Sequence, residues 1–328
     1  MPQPPRPELT LPVPFLKEPA RLPWPFDWPL PTKLLQRGTS ISRVLRRNVA
    51  GLTPQQVRQA LDQFARLNPG PAAGTFIPVE VAGVPVFEGR FEGVDERGIL
   101  LLIHGGGFAF GSARSHRALG MHLAQLTGRR LWIPEYRLAP EHPFPAGLED
   151  VRNVYEEALM FNGDVVVVGD SAGGNLAAGT VQHALATGWA KPSSLLLLSP
   201  WLDLAPESES NRQDRHDLSV FDSEDMITYM GHYLGEADPL DPAASPLRGP
   251  WSGFPPTYLE ASVDEYLWPD TAQARDLLKR AGVEHSLRTE EKALHGWQLF
   301  PDFIPEARRS LEAMADFIHR VDAGESVA

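Results

Sequence analysis

The sequence predicts an α/β fold, a mostly parallel, doubly wound sheet with helices on both faces. Three observations point to it. The aliphatic runs in "GILLLIHG", "DVVVVGD" and "SSLLLLSP" are continuous rather than alternating, as strands covered on both faces require. Stretches of helical pattern stand between them, which is the βαβ rhythm of a parallel sheet. The rhythm breaks over residues 203–241, an acidic stretch with its own aromatic and Met content, which reads as an insertion over the sheet's edge.

Taken in order, residues 1–32 are proline-rich, with Trp24, Phe26 and Trp28 among the prolines. Such a stretch cannot be a helix interior, and its tryptophans suit a segment lying on the domain surface. "TKLLQRGTSISRVLRRN" and "TPQQVRQALDQFARLN" read as two helices, the second with Thr53 as N-cap and Pro54 in its first turn. Asn68-Pro69-Gly70-Pro71 is a break. Buried strands follow in "GILLLIHG", "RLWIPEY", "DVVVVGD", "SSLLLLSP", "PTYLEAS" and, near the end, "VEHSLRTE". Helices are expected over 113–127, 146–160, 172–187, 270–281 and 305–320.

Composition narrows the function. The chain has 328 residues, 42% of them hydrophobic, enough for a sizeable core. A net charge of −12 argues against a general nucleic-acid binder, which needs a basic face. With no cysteine there is no disulfide, thiolate metal site or cysteine nucleophile. Prolines interrupt "MPQPPRPELTLPVPF" where a secretory signal needs an apolar run, and no stretch approaches a membrane span. The expectation is a cytoplasmic protein without stable membrane insertion.

The strongest motif is Gly169-Asp170-Ser171-Ala172-Gly173, a G-x-S-x-G sequence between a buried strand and a small-residue helix. A serine at such an elbow exposes its hydroxyl, and the helix dipole behind it favours negative charge. The hydroxyl becomes nucleophilic only when a base takes its proton. In an open parallel sheet the site lies at the carboxyl ends of the strands, so the base should follow a late strand. His295, in "LHGWQ", meets this condition, whereas the other nine histidines fall in helices, loops or a strand interior. The orienting acid should end the preceding strand: "TYLEASVDEYLWPD" offers Asp264, with Asp270 and Glu265 less well placed and Asp203 as a rival. The chain order Ser171, Asp264, His295 results.

"HGGGF" at 104–108 places three glycines after another strand at the same sheet edge. Side-chain-free residues let backbone N–H groups approach a developing oxyanion, so Gly106 and Gly107 are expected donors, with Ala172 as the third. A phosphate loop is the weaker reading, because no Walker lysine follows and G-x-G-x-x-G is absent from this loop.

Together "HGGGF", "YRLAPEHPFPA" at 136–146, "GDSAGGN" at 169–175, "SVDEYL" at 262–267 and "HGW" at 295–297 resemble the bacterial hormone-sensitive-lipase-like esterases. The resemblance covers roughly residues 70–320. It implies the α/β-hydrolase fold and carboxylic-ester hydrolysis through an acyl-enzyme, without cofactor or metal. The same residues take the same roles. The family's usual Asp-Pro-Leu and His-Gly-Phe are here Asp264-Glu265-Tyr266 and His295-Gly296-Trp297.

The resemblance also implies a helical cap. Residues 1–69 and 205–241 would form it over a catalytic core of 70–204 and 242–328. Charge fits this division, since residues 1–60 hold nine Lys/Arg against three acids and 201–241 hold eleven acids against two Arg. Exposed ion pairs contribute little, so apolar residues must bind the cap: Leu34, Leu35, Ile41, Val44 and Leu45 opposite Phe221, Met226, Tyr229, Met230 and Tyr233. The competing reading sets "SRVLRRN" against an anionic membrane.

Phe108, Phe221, Tyr229 and Trp297 are the expected pocket residues, for a neutral small-molecule ester of short to medium acyl chain. The same chemistry would serve an amidase, formamidase or acyltransferase; a non-catalytic small-molecule receptor is the reading from another class. Homodimerisation is left open. Asp170 reads equally as a hydrogen-bonding support or a solvated turn residue, and Glu141 as a loop-fixing residue.

Overall fold

The computed structural model describes residues 52–327 apart from 69, 73, 93–96, 211 and 213–222. The proline-rich start, the first basic helix with its apolar face, and Phe221 therefore lie outside the described residues.

Eight strands form one sheet: β1 (Thr75–Val81), β2 (Val84–Arg90), β3 (Ile99–Ile103), β4 (Arg130–Pro134), β5 (Val165–Asp170), β6 (Ser194–Leu198), β7 (Thr257–Ser262) and β8 (His285–Glu290). Their order is β1-β2-β4-β3-β5-β6-β7-β8. All neighbours from β4 to β8 run parallel, while β2 is antiparallel to both β1 and β4. This is an α/β-hydrolase fold.

The helices around the sheet are α1 (Pro54–Ala65), α2 (Arg117–Thr127), α3 (Ala146–Phe161), α4 (Ala172–Thr187), α5 (Pro206–Ser210), α6 (Ser223–Leu234), α7 (Trp268–Arg280) and α8 (Pro305–Asp322). Every residue of β3, β5, β6 and β7 is buried, which is why their sequences run apolar without alternation. Alternate residues serve opposite faces. Leu101, Val167 and Leu197 pack with Val151 of α3 and Leu176 of α4, whereas Leu102, Val168 and Leu196 pack with Leu123 of α2 and Met314 of α8. Each fully buried Leu or Val contributes about 1.5–3 kcal/mol, so the sheet core dominates the stability that holds the site.

Two local features merit comparison with the sequence reading. Thr53 caps α1 as expected: its Oγ1 accepts the amide of Gln56 at 3.3 Å while Gln56 Oε1 accepts the amide of Thr53 at 2.9 Å. The β1–β2 hairpin, in contrast, is an addition. Its two-residue turn puts Ala82 (φ 52°) and Gly83 (φ 76°) in the left-handed region, and alanine there gives no turn signal in the sequence.

Candidate active site

The sheet delivers three loops to one edge. β5 ends at Asp170 and α4 begins at Ala172, so Ser171 alone makes the turn, at φ 51° and ψ −121°. That conformation is strained for a residue with a Cβ and persists only where the surroundings enforce it. Here they do: the amide of Ser171 donates to Leu198 O at 2.9 Å, and its carbonyl accepts the amide of Trp201 at 2.9 Å. The helix can close on the sheet because Gly173 has no side chain, since a Cβ there would lie 2.1 Å from Ile103 O. Ala172 occupies the first position of α4, where a backbone N–H has no intrahelical acceptor.

β3 pairs Ile103 with Gly169, which brings the glycine loop beside this elbow. Gly106 sits at φ 123° and Gly107 at φ 56°, and a Cβ on Gly106 would lie 2.2 Å from Phe110 O. The loop folds back on itself, with Gly106 O accepting the amides of Ala109 at 3.0 Å and Phe110 at 2.9 Å. Among the described residues, the amides of Gly106 and Gly107 donate to no acceptor.

Asp170 joins the two loops. Its Oδ1 accepts the amide of Gly105 at 2.9 Å and lies 3.0 Å from His116 Nε2. Burial would raise its pKa, but His116, the Gly105 amide and the charge of His295 outweigh it and hold the carboxyl below its usual value. The support reading of Asp170 is therefore the geometric one. His104 takes no catalytic position: its Nδ1–H donates to Gly105 O at 2.9 Å and its ring stacks on Tyr136 at 4.2 Å. Burial drives the His104 pKa down to about 3.

On the other side, His295 follows β8 and faces a carboxylate. That carboxylate belongs to Glu265 and not to Asp264: His295 Nδ1 lies 2.5 Å from Glu265 Oε2. The other oxygen of Glu265 accepts Ser199 Oγ–H at 2.5 Å and the Ser262 amide at 2.9 Å. Asp264 is exposed, and its Oδ2 accepts the backbone amide of Lys292 at 2.9 Å. The expectation of Asp264 is corrected on this point. After β7 the chain turns so that residue 264 faces solvent and residue 265 faces inward, and the longer side chain of glutamate spans to the imidazole. Asp203, the rival, accepts from Ser208 Oγ at 2.6 Å and Arg248 Nε at 3.0 Å. Asp270 is paired with Arg212 at 2.6 Å. Neither contacts a histidine in these bonds.

For His295, burial depresses the pKa, but the charge and hydrogen bond of Glu265, with Asp170 further off, outweigh it and raise the net value.

The expected pocket residues divide. Tyr229 of α6 sits at the glycine loop, 5.1 Å ring to ring from Phe110, and its Cβ lies 3.4 Å from where a Cβ of Gly107 would be. Phe108 is only 1% exposed, stacked on Tyr233 at 3.7 Å, so its ring belongs to the core and offers a ligand no surface. Trp297 is equally buried at 1% and its indole N–H donates to Ser310 Oγ at 3.1 Å, which turns it toward α8. Both are corrections to the pocket. Val57 and Leu61 of α1 pack with Ala109, Phe110 and Tyr229, so α1 and α6 meet above the glycine loop.

Among the described residues no cluster of His, Asp and Glu could hold a metal, and no helix is long and apolar enough to cross a membrane. Fold and site together define an esterase-type α/β-hydrolase.

Comparison with known proteins specifies the family. The family model described as alpha/beta hydrolase fold matches residues 100–299. An esterase of Acinetobacter venetianus is 33% identical over 276 residues, covering 83% of this chain and 90% of its own. An acetyl-hydrolase of Streptomyces hygroscopicus is 33% identical over 231 residues, 70% of this chain and 77% of its own. A solved esterase of the bacterial hormone-sensitive lipase family superposes with a TM-score of 0.80 at 29% identity, covering 87% of this chain and 97% of that one. The chain belongs to the bacterial hormone-sensitive-lipase-like esterases of the α/β-hydrolase fold.

Proposed function

We propose that the protein is a serine carboxylesterase in which Ser171 is the nucleophile, His295 the base and Glu265 the orienting acid. The observation that carries this is the 2.5 Å contact of His295 Nδ1 with Glu265 Oε2, on an imidazole coupled electrostatically to the residue before the strained Ser171. The contact assigns the proton to Nδ1 in the neutral ring and leaves Nε2 as the basic nitrogen.

Ser171 Oγ attacks the ester carbonyl as His295 takes its proton. The carbonyl electron pair moves to oxygen, and the amides of Gly106, Gly107 and Ala172 stabilise that charge. The tetrahedral species collapses to an acyl-enzyme, with the imidazolium giving its proton to the departing alkoxide. Water, deprotonated by the same His295, then releases the acid and restores Ser171. Residues 1–69 and 205–241 act as the cap. The partly exposed apolar side chains of Leu52 and Leu61, packed beside Phe110 and Tyr229 at the glycine loop, favour neutral esters of short to medium acyl chain. The acetyl-hydrolase among the relatives fits the short end of that range.

A fluorophosphonate label followed by a chain-length series of p-nitrophenyl esters tests the reading. The expected result is a single adduct on Ser171 and a maximum of kcat/KM between acetate and octanoate. Intact protein that gains no adduct would instead be a binding module. An amide turned over faster than its matched ester would make the enzyme an amidase.

A further inference from the structure

Helix α1 is chemically tied to the glycine loop. Arg58 Nε donates to Ala109 O at 2.7 Å, and Arg58 Nη2 donates to Ala139 O at 2.8 Å. The guanidinium is itself gripped by both oxygens of Glu141, at 2.9 Å and 2.8 Å, and Gln55 Nε2 adds a further bond to Glu141 at 2.7 Å. Arg58 holds the Glu141 carboxyl down at about 2, so the pair stays charged across the working range of pH. One turn later on the same helix, Asp62 Oδ1 accepts Ser112 Oγ–H at 2.7 Å, at the far end of the loop.

These contacts matter because of what else holds the loop. Gly106 O is engaged by the loop's own amides, and Phe108 O accepts the amide of Ala139 at 2.9 Å. Tyr136 Oη–H takes His104 O at 2.7 Å where the loop begins, Arg58 takes Ala109 O beyond the glycines, and the same guanidinium holds the carbonyl of Ala139, the residue whose amide anchors Phe108. Rotation of the 106–109 peptides would turn the Gly106 and Gly107 amides away from a common point. A five-donor planar fork suits this task, since a single cation bridges two carbonyls and a carboxylate.

We infer that Arg58 is a positioning residue for ester hydrolysis: it fixes the aim of the Gly106 and Gly107 amides from the N-terminal helix without touching substrate. The inference rests on the oxyanion role proposed for that loop. It makes the amino-terminal helix a part of the rate-determining geometry as well as a cover.

The fork should act on the transition state more than on the ground state. Complete loss of one oxyanion donor typically costs about 10²–10³ in rate, and a loosened loop should cost less. Arg58→Met, which keeps the apolar stem, is expected to lower kcat about 10-fold with KM within about 2-fold of the parent. Arg58→Lys, which still offers a cation to one carbonyl, should recover part of that loss, and Glu141→Gln should cost about 2-fold.

The discriminating measurement is affinity for an aryl trifluoromethyl ketone against its matched alcohol. Addition of Ser171 Oγ to the ketone carbon sends the carbonyl pair to oxygen and the serine proton to His295, so the adduct needs the oxyanion donors and the alcohol does not. The expected result is that Arg58→Met weakens the ketone by the same factor as kcat and leaves the alcohol unchanged, with thermal unfolding confirming a folded variant. Equal weakening of ketone, alcohol and KM would overturn the inference and make Arg58 a cap-binding residue, as would a variant with unchanged kcat and ketone affinity. Should Arg58→Met not fold, the inference stands or falls on Arg58→Lys and Glu141→Gln, in which kcat and ketone affinity must fall together. A parent protein that binds the ketone no better than the alcohol would refute the oxyanion reading of the loop itself.

Discussion

The two sides of the site are held by different kinds of bond. On the β3–β5 side, main-chain groups are what is held: a serine forced to φ 51°, Gly105 and Gly106 packed against carbonyls, and a Gly105 amide and an Ala109 carbonyl gripped by Asp170 and Arg58. On the β7–β8 side, position is set by side chains: Glu265 divides its oxygens between His295 and the pair Ser199 Oγ and Ser262 N. Backbone placement tolerates little change of residue, because a Cβ at Gly105, Gly106 or Gly173 would meet backbone atoms closer than 3 Å. Side-chain placement tolerates change of residue but depends on reach and rotamer. The first side is suited to stabilising charge at a fixed point, the second to holding a ring that must exchange protons.

Substitutions can break or sharpen that contrast. The largest effect should come from Ser171→Ala, which is expected to remove about six orders of magnitude of activity, read from ester turnover after exclusion of contaminating esterase. Next is the pair on the side-chain half. Glu265→Gln should lower kcat/KM by about 10³–10⁴, whereas Asp264→Asn should stay within about 3-fold of the parent. The reverse ranking would return the acid to Asp264. On the backbone half, Gly106→Ala puts a Cβ 2.2 Å from Phe110 O. It should cost about 10²–10³ in kcat with the Ser171 label still forming, though slowly.

The smallest effect is one of pH. His295 must be neutral to act as base, so kcat/KM declines as pH falls through its pKa. That pKa is raised, against burial, by Glu265 and in part by Asp170. Asp170→Asn keeps an oxygen for the Gly105 amide but removes the charge. The acidic limb of the pH profile should therefore move to lower pH. A limb that stays in place or moves upward would show that the charge of Asp170 does not act on His295.

The same contrast explains what the sequence made legible. The βαβ order could be read from the unbroken apolar runs, and Ser171 between its glycines and the glycine loop could be read because close backbone approach leaves glycine as its mark. The place of His295 after β8, facing a carboxylate, could be read because topology brings the segment after that strand to the same sheet edge. The choice between Asp264 and Glu265 could not, since adjacent carboxylates differ only in which way the chain faces after β7. Phe108 and Trp297 failed as pocket residues for a related reason: an aromatic next to a catalytic group can point into the core as easily as into the cavity. Arg58 left no local signal at all, because its partners at 109, 139 and 141 are brought to it only by the fold.

Asp170 carries a last consequence for anyone redesigning this enzyme. Its carboxylate adjoins Ser171 in sequence while accepting a hydrogen bond from the Gly105 amide that opens the glycine segment. A library that varies residues 104–111 therefore also touches the hydrogen bond by which Asp170, next to Ser171, holds the glycine segment. Selectivity is better sought by varying α6 around Tyr229, which packs against Phe110 and beside Gly107.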